Sequence, residues 1–88
     1  MTDAEQARIA KAIADPTRFR LLQEIAQRER CTCSCVKDDL GVTPATLSHH
    51  LKELEEAGLI EVTREGRFAV MRLRRDVWKT YLKELSRL

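Results

Sequence analysis

At 88 residues the chain is read as one domain, residues 1–88, and a chain this short buries only roughly two-thirds of its unfolded surface, so a partner subunit would help it. Sixteen Lys and Arg against fourteen Asp and Glu leave a net charge of +2, so overall electrostatics do not by themselves announce nucleic acid. The composition excludes a disordered chain, no apolar run approaches the ~20 residues that span a bilayer, and the polar start MTDAEQARIAKAI lacks a signal peptide's apolar core, so no membrane partner and a cytoplasmic location are expected.

Residues 4–14 are rich in Ala, Glu, Gln and Lys, good helix formers, with Ile9 and Ile13 one turn apart. Asp15-Pro16 then reads as an N-cap followed by proline at the first helical position, where its missing N–H costs nothing. Phe19, Leu22, Ile25 and Ala26 give the second helix a buried face and leave Arg18, Glu24 and Gln27 for solvent. The stretch QRERCTCSCVKDDLG reads as a loop followed by a short helix, with Val36 and Leu40 four apart and Gly41 at the stop.

Thr43-Pro44 repeats the cap-and-proline start, after a turn that makes a helix-turn-helix pair. Leu47, Leu51 and Leu54 recur at i, i+4 and i+7, so one narrow stripe is buried while Thr46, His49, Lys52 and Glu53 point away. Gly58 ends that helix. Ile60 and Val62 alternate with Glu61 and Thr63 as a strand, Glu65-Gly66 turns, and Phe68 to Leu73 returns. From Asp76 the pattern is helical again, with Val77, Trp78, Tyr81, Leu82, Leu85 and Leu88 on a wide apolar stripe suited, with the first helix, to a dimer interface. The fold class is therefore mainly α with a two-stranded β wing, a winged helix-turn-helix that dimerises through its terminal helices.

A helix exposed in this way suits a DNA groove. Thr46, Ser48 and His49 are candidates for base edges and His50 and Lys52 for phosphate, while Arg64 and Arg67 flank the wing's turn and can reach a minor groove or backbone. Cys31, Cys33 and Cys35 fall within five residues, and clustered thiols in a reducing compartment suggest a soft metal, a metalloid or redox chemistry before a structural disulfide. All three point one way only in an extended segment; in a helix Cys31 and Cys35 share a face and Cys33 turns off it. Arsenite or antimonite would suit three thiolates, and a soft divalent metal would accept them with a further ligand. The bland alternative is a buried thiol or two with no ligand. Adjacent His49 and His50 point about 100° apart and cannot easily hold one ion together. No nucleophile with a base, phosphate loop or paired acids appears, so the chain reads as a non-enzyme.

The segments ADPTRFRLL, TLSHHLKELEEAGLI and TREGRFAVMRL, in this order, resemble the ArsR/SmtB family of winged-helix repressors over nearly the whole chain. The resemblance implies a homodimer on double-stranded operator DNA that needs no cofactor to bind and is released when a metal, metalloid or oxidant reaches a cysteine or histidine site. It starts the recognition helix at Thr43 and matches Ser48, His50 and Lys52 to the family's usual residues, and Arg64, Gly66 and Arg67 to its wing. Pro44 and His49 stand where a glutamine and an arginine are usual, so the preferred bases need not be those of relatives. The family's CVC pair falls at Thr32 and Ser34, one residue out of step with the cysteines here. The last helix lacks histidine, so the zinc site some relatives build there is not expected. Two other readings stay open: a thiol-redox-switched repressor without metal, and a winged-helix protein-interaction dimer that does not bind DNA.

Overall fold

A computed structural model describes the backbone of all 88 residues and the side chains of all but residues 37–39. The helices begin where their caps allow. α1 (Asp3–Ile13) opens on a capping box, Thr2 and Glu5 each accepting from the other's backbone N–H. α2 (Pro16–Ala26) is capped by Asp15, whose carboxylate accepts from the Arg18 N–H at 2.9 Å. A short strand β1 (Cys31–Thr32) precedes α3 (Cys33–Leu40), which stops at Gly41 in the left-handed region with φ 61.

α4 (Pro44–Glu56) starts from the Thr43 hydroxyl, which accepts the Thr46 N–H. It ends in a Schellman motif: Gly58 adopts φ 79, its N–H reaches Glu55 O at 3.0 Å, and the Leu59 N–H reaches Leu54 O at 3.1 Å. Leu54 and Leu59 are both fully buried, which supplies the apolar contact such a stop needs. The chain then enters β2 (Ile60–Glu65) and β3 (Phe68–Leu73), and closes with α5 (Arg75–Ser86). A bond from the Arg74 N–H to Leu59 O at 2.8 Å ties the start of α5 back to the entry of the hairpin.

The sheet differs from expectation in one respect. It has three antiparallel strands in the order β1-β3-β2, because Cys31 and Thr32 pair with Met71 and Val70. Those two residues give the hairpin's inner edge a partner, and a two-stranded ribbon is only marginally stable alone. The β2–β3 register runs from Ile60 opposite Leu73 to Glu65 opposite Phe68, leaving Gly66-Arg67 as a two-residue turn. Gly66 has φ 62 and Arg67 does not have positive φ, the pattern of a hairpin turn with glycine first.

The core gathers Ile9 and Ala12 from α1, Leu21, Leu22 and Ile25 from α2, Val36 from α3 and Leu47 and Leu54 from α4 over Ile60 and Met71 of the sheet. Part of the expected dimer stripe is spent here. Ile9 is 1% and Tyr81 4% exposed, and Ile13, Val77 and Trp78 pack half-buried against the same core. A chain of this size needs those large side chains for its own interior. The large apolar side chains left exposed at this end are Leu82 and Leu85 on α5 and Leu88 just beyond it.

Candidate DNA-binding face and cysteine cluster

The stripe of leucines turns the rest of α4 outward. Leu47 and Leu54 are buried, Leu51 is half-buried, and Thr43, Thr46, Ser48, His49 and Lys52 are exposed. The cap also orients a functional group. The Thr43 hydroxyl donates to Thr46 Oγ1 at 2.9 Å while accepting the Thr46 N–H at 3.2 Å. Its own proton is thus committed, and the Thr46 hydroxyl keeps its proton to offer outward. Acidic Glu55 and Glu56 lie exposed at the far end of the helix, so its N-terminal half is the end suited to a polyanion.

His50 departs from the expected arrangement. A helix advances about 100° per residue, so His49 faces solvent while its neighbour turns inward to 7% exposure, with Nδ1 3.4 Å from Arg18 Nη1. A side chain in that position is not on the outer face. Arg18, expected in solvent, is half-buried and reaches the last carbonyls of α1 as well. The sequence carried no periodic signal for it, because a long side chain can lie along a groove that exists only after three helices have packed.

The hairpin's tip is basic in effect. Glu65 is held by Arg72 at 3.0 Å and Arg30 at 3.2 Å. Those two partners, Arg72 first, keep its carboxyl below the usual carboxylate range. Arg64 and Arg67 are exposed, and no carboxylate of the described residues pairs with either. Phe68 beside them is 52% exposed, with the Arg30 guanidinium 5.9 Å from its ring centroid.

The three cysteines are divided by the junction of β1 and α3. Cys31 is fully buried in the strand, Cys33 packs half-buried against the core, and Cys35 is exposed in the first turn of the helix. Cys33 and Cys35 lie about 200° apart around the axis, so the open or frayed segment that a three-thiolate site requires is not present. Among the described residues no group of three His, Cys, Asp or Glu is gathered for a metal. Thr32 stands between two of the thiols: Cys31 Sγ donates to its carbonyl at 3.7 Å and its Oγ1 lies 3.3 Å from Cys35 Sγ.

The two thiols are opposite in character. Burial pushes Cys31 up from 9.0 to about 11. Hydrogen bonds from Thr32, first its hydroxyl and then its backbone N–H, hold Cys35 below its ordinary value, with the Arg28 charge assisting. Iodoacetamide at neutral pH should therefore label Cys35 well before Cys31, read by peptide mass spectrometry. Equal labelling would mean the strand opens on that timescale. Since an unfolded Cys31 releases its proton near 9.0 and the folded one near 11, stability from this thiol should be complete below about pH 9 and decline from there towards 11.

The described fold and its exposed helix place the chain among known regulators. A helix-turn-helix domain family matches residues 13–63, more than half of the chain. An ArsR-like transcriptional regulator from Rhodococcus sp. RHA1 superposes with a TM-score of 0.86 at 27% identity, over 96% of this chain and 78% of that one. The chain belongs to the ArsR-type winged helix-turn-helix regulators. It is thus a transcription regulator and not an enzyme. A homodimeric winged helix-turn-helix DNA-binding domain from Mycobacterium bovis, described as a possible ArsR-family regulator, matches with a TM-score of 0.78 at 26% identity, over 98% of this chain and 85% of that one. A probable mercury resistance operon repressor from Streptomyces lividans is 39% identical over 61 residues, 69% of this ArsR-type chain and 48% of that protein. No helix among the described residues is long and apolar enough to cross a membrane.

Proposed function

We propose that residues 1–88 form one DNA-binding domain of a homodimeric repressor that works in the cytoplasm and binds double-stranded operator DNA. The observation that carries this is the exposed half of α4, bearing Thr43, Thr46, Ser48, His49 and Lys52, joined through β2 to a hairpin whose Arg64 and Arg67 have no acid partner among the described residues. Thr46, Ser48 and His49 would read base edges, and Lys52, Arg64 and Arg67 would hold phosphates or the minor groove. Two such helices on a dimer would enter successive major grooves of a roughly palindromic site. The exposed Leu82 and Leu85 on α5, with Trp78 on the same face, support the dimer, as does the homodimeric relative from Mycobacterium bovis.

The effector would act on the Cys31 and Cys35 thiols. Two thiols that both contact Thr32, and that each influence the other's ionisation, suit a thiophilic ion or metalloid, arsenite-like or a soft divalent metal, with any further ligand drawn from Cys33 after rearrangement or from the partner. The mercury-resistance relative favours the same class. Such an ion must displace the proton that burial holds on Cys31, so capture disturbs the strand paired to Met71 of the wing. A coupling of ~1–3 kcal/mol between effector and DNA is expected. The same pair closing to a disulfide under an oxidant is the second reading, favoured by the low-lying Cys35 thiol beside a second thiol.

The test is fluorescence anisotropy of the reduced protein on duplex from its own upstream region, titrated with arsenite and with mercuric ion. Tight binding that either agent reverses is the expected result. Cys31→Ser and Cys35→Ser should keep DNA affinity and lose release; a Cys33→Ser variant that responds as wild type would assign any further ligand to the partner, and one that loses release would assign it to Cys33. Release by peroxide alone, restored by dithiothreitol, would select the redox reading. No affinity for any duplex at low salt would leave a protein-interaction dimer.

A further inference from the structure

His50 is a polar ring on the inward face of α4, between Leu47 and Leu54, and 7% exposed. A leucine would fill such a place without the cost of burying a polar group, so the ring needs a partner to be tolerated there. That partner is Arg18, whose Nη1 lies 3.4 Å from His50 Nδ1. A guanidinium only donates, so Nδ1 accepts and the ring in this contact is the neutral tautomer with its proton on Nε2. The rest of the Arg18 fork is committed elsewhere. Nε donates to Ala12 O and Nη2 to Lys11 O, carbonyls of the last turn of α1, while the backbone N–H of Arg18 is the donor that Asp15 uses to cap α2. One side chain therefore joins the end of α1, the start of α2 and the inner face of the helix that carries the outward contacts.

We propose that the Arg18–His50 contact sets the pitch of α4 against α1 and α2, making His50 a positioning residue for DNA binding rather than a DNA ligand. The inference rests on the DNA-binding reading of α4. A pH dependence follows from the geometry. Protonation would put a hydrogen on Nδ1, remove the acceptor Arg18 needs, and place two cations 3.4 Å apart. The charged and titratable groups facing the ring are Arg18 and Asp15 from the start of α2 and His49 on α4 itself, with ring centroids 5.8 Å apart. The part of α1 that reaches this contact through Arg18 is carbonyl oxygen. Asp15 offsets some of the repulsion but cannot restore the lost hydrogen bond, so DNA binding should be coupled to the neutral ring and weaken as pH falls.

The experiment compares wild type with His50→Asn, whose Oδ1 can accept in place of Nδ1 and does not titrate, and His50→Leu, which fits the apolar surroundings and accepts nothing. Anisotropy on the operator duplex would be read at about pH 7.5 and pH 5.5 across a salt series, with a thermal melt of each protein. The asparagine variant should match wild type at the higher pH and bind about fivefold more tightly than it at the lower pH, the small end of linked-site coupling. Both proteins keep His49, so at each pH the compared chains differ only at position 50. The leucine variant should bind about fivefold more weakly at the higher pH, with an unchanged slope of log affinity against log salt. A slope made shallower by about 0.9 per protomer in both variants would make His50 a phosphate ligand and overturn the inference. So would equal weakening of both variants at every pH, which would mean packing alone. Failure of wild type to bind any duplex would overturn the DNA reading and this inference together.

Discussion

Replacing both wing arginines, Arg64→Ala with Arg67→Ala, is expected to flatten the salt dependence of operator binding. A dimer would lose four cationic contacts, and each phosphate contact contributes about 0.9 to the slope of log affinity against log salt, so the slope should become shallower by about 3 to 4. Between about 50 and 200 mM salt, wild type should then lose about 100-fold more affinity than the variant. Both side chains are exposed at the hairpin tip, and no carboxylate of the described residues pairs with either, so neither has a folded-state partner to forfeit. The thermal midpoint should accordingly stay where it was, because an exposed substitution away from a cap or core moves stability little. A parallel measurement on Arg72→Ala sharpens the assignment. Arg72 is bound to Glu65 at 3.0 Å and to the Thr63 hydroxyl at 3.2 Å, so its loss leaves Glu65 with Arg30 as its one remaining ion-pair partner among the described residues and makes the tip less basic. An unchanged slope in the double variant would show that the tip does not approach phosphate.

Leu54→Ala should cost the fold about 2–5 kcal/mol, the range for truncating a fully buried leucine, and lower the thermal midpoint by roughly 4–8 °C for each kcal/mol lost in a domain this small. Leu54 is 0% exposed and sits where the end of α4 meets Leu59, the first residue after its stop. Its carbonyl also receives the Leu59 N–H at 3.1 Å, a backbone bond that alanine keeps, so the loss reports on packing. Urea unfolding followed by far-UV circular dichroism would measure it. A cost below about 1 kcal/mol would mean that the site collapses around the smaller side chain.

The local elements were written plainly in the chain. Asp15-Pro16 and Thr43-Pro44 each combine a side-chain acceptor with a residue that lacks the N–H a helix start leaves idle, and both begin helices as expected. Gly41, Gly58 and Gly66 all adopt positive φ at the three stops and turns assigned to them, since that backbone region penalises any side chain. Ile60 and Val62 of β2 and the leucine stripe of α4 also face the core, although Thr63 is half-buried like Val62, because the period of burial along one element is largely local information. Membership of the ArsR-type regulators was legible for the same reason, as each of the three motifs that carry it is one short continuous segment covering an element and its turn or the next element in the chain.

What the sequence by itself determined, then, is where the capped helices and the two wing strands lie and which face of α4 is mostly outside. Only the tertiary structure decided how those elements share their side chains. Cys31 and Thr32 became a strand because β3 offered Met71 and Val70 as partners, and that pairing left Cys31 fully buried while α3 carried Cys35 to the surface. Ile9 and Tyr81 went to the monomer's own core, leaving Leu82 and Leu85 as the open part of the last helix. His50 and Arg18, two residues that pattern alone would leave in solvent or on phosphate, were drawn together from 32 positions apart. Propensity and capping act over a few residues along the chain, but burial and hydrogen bonding of a polar group depend on which distant surface arrives to cover it.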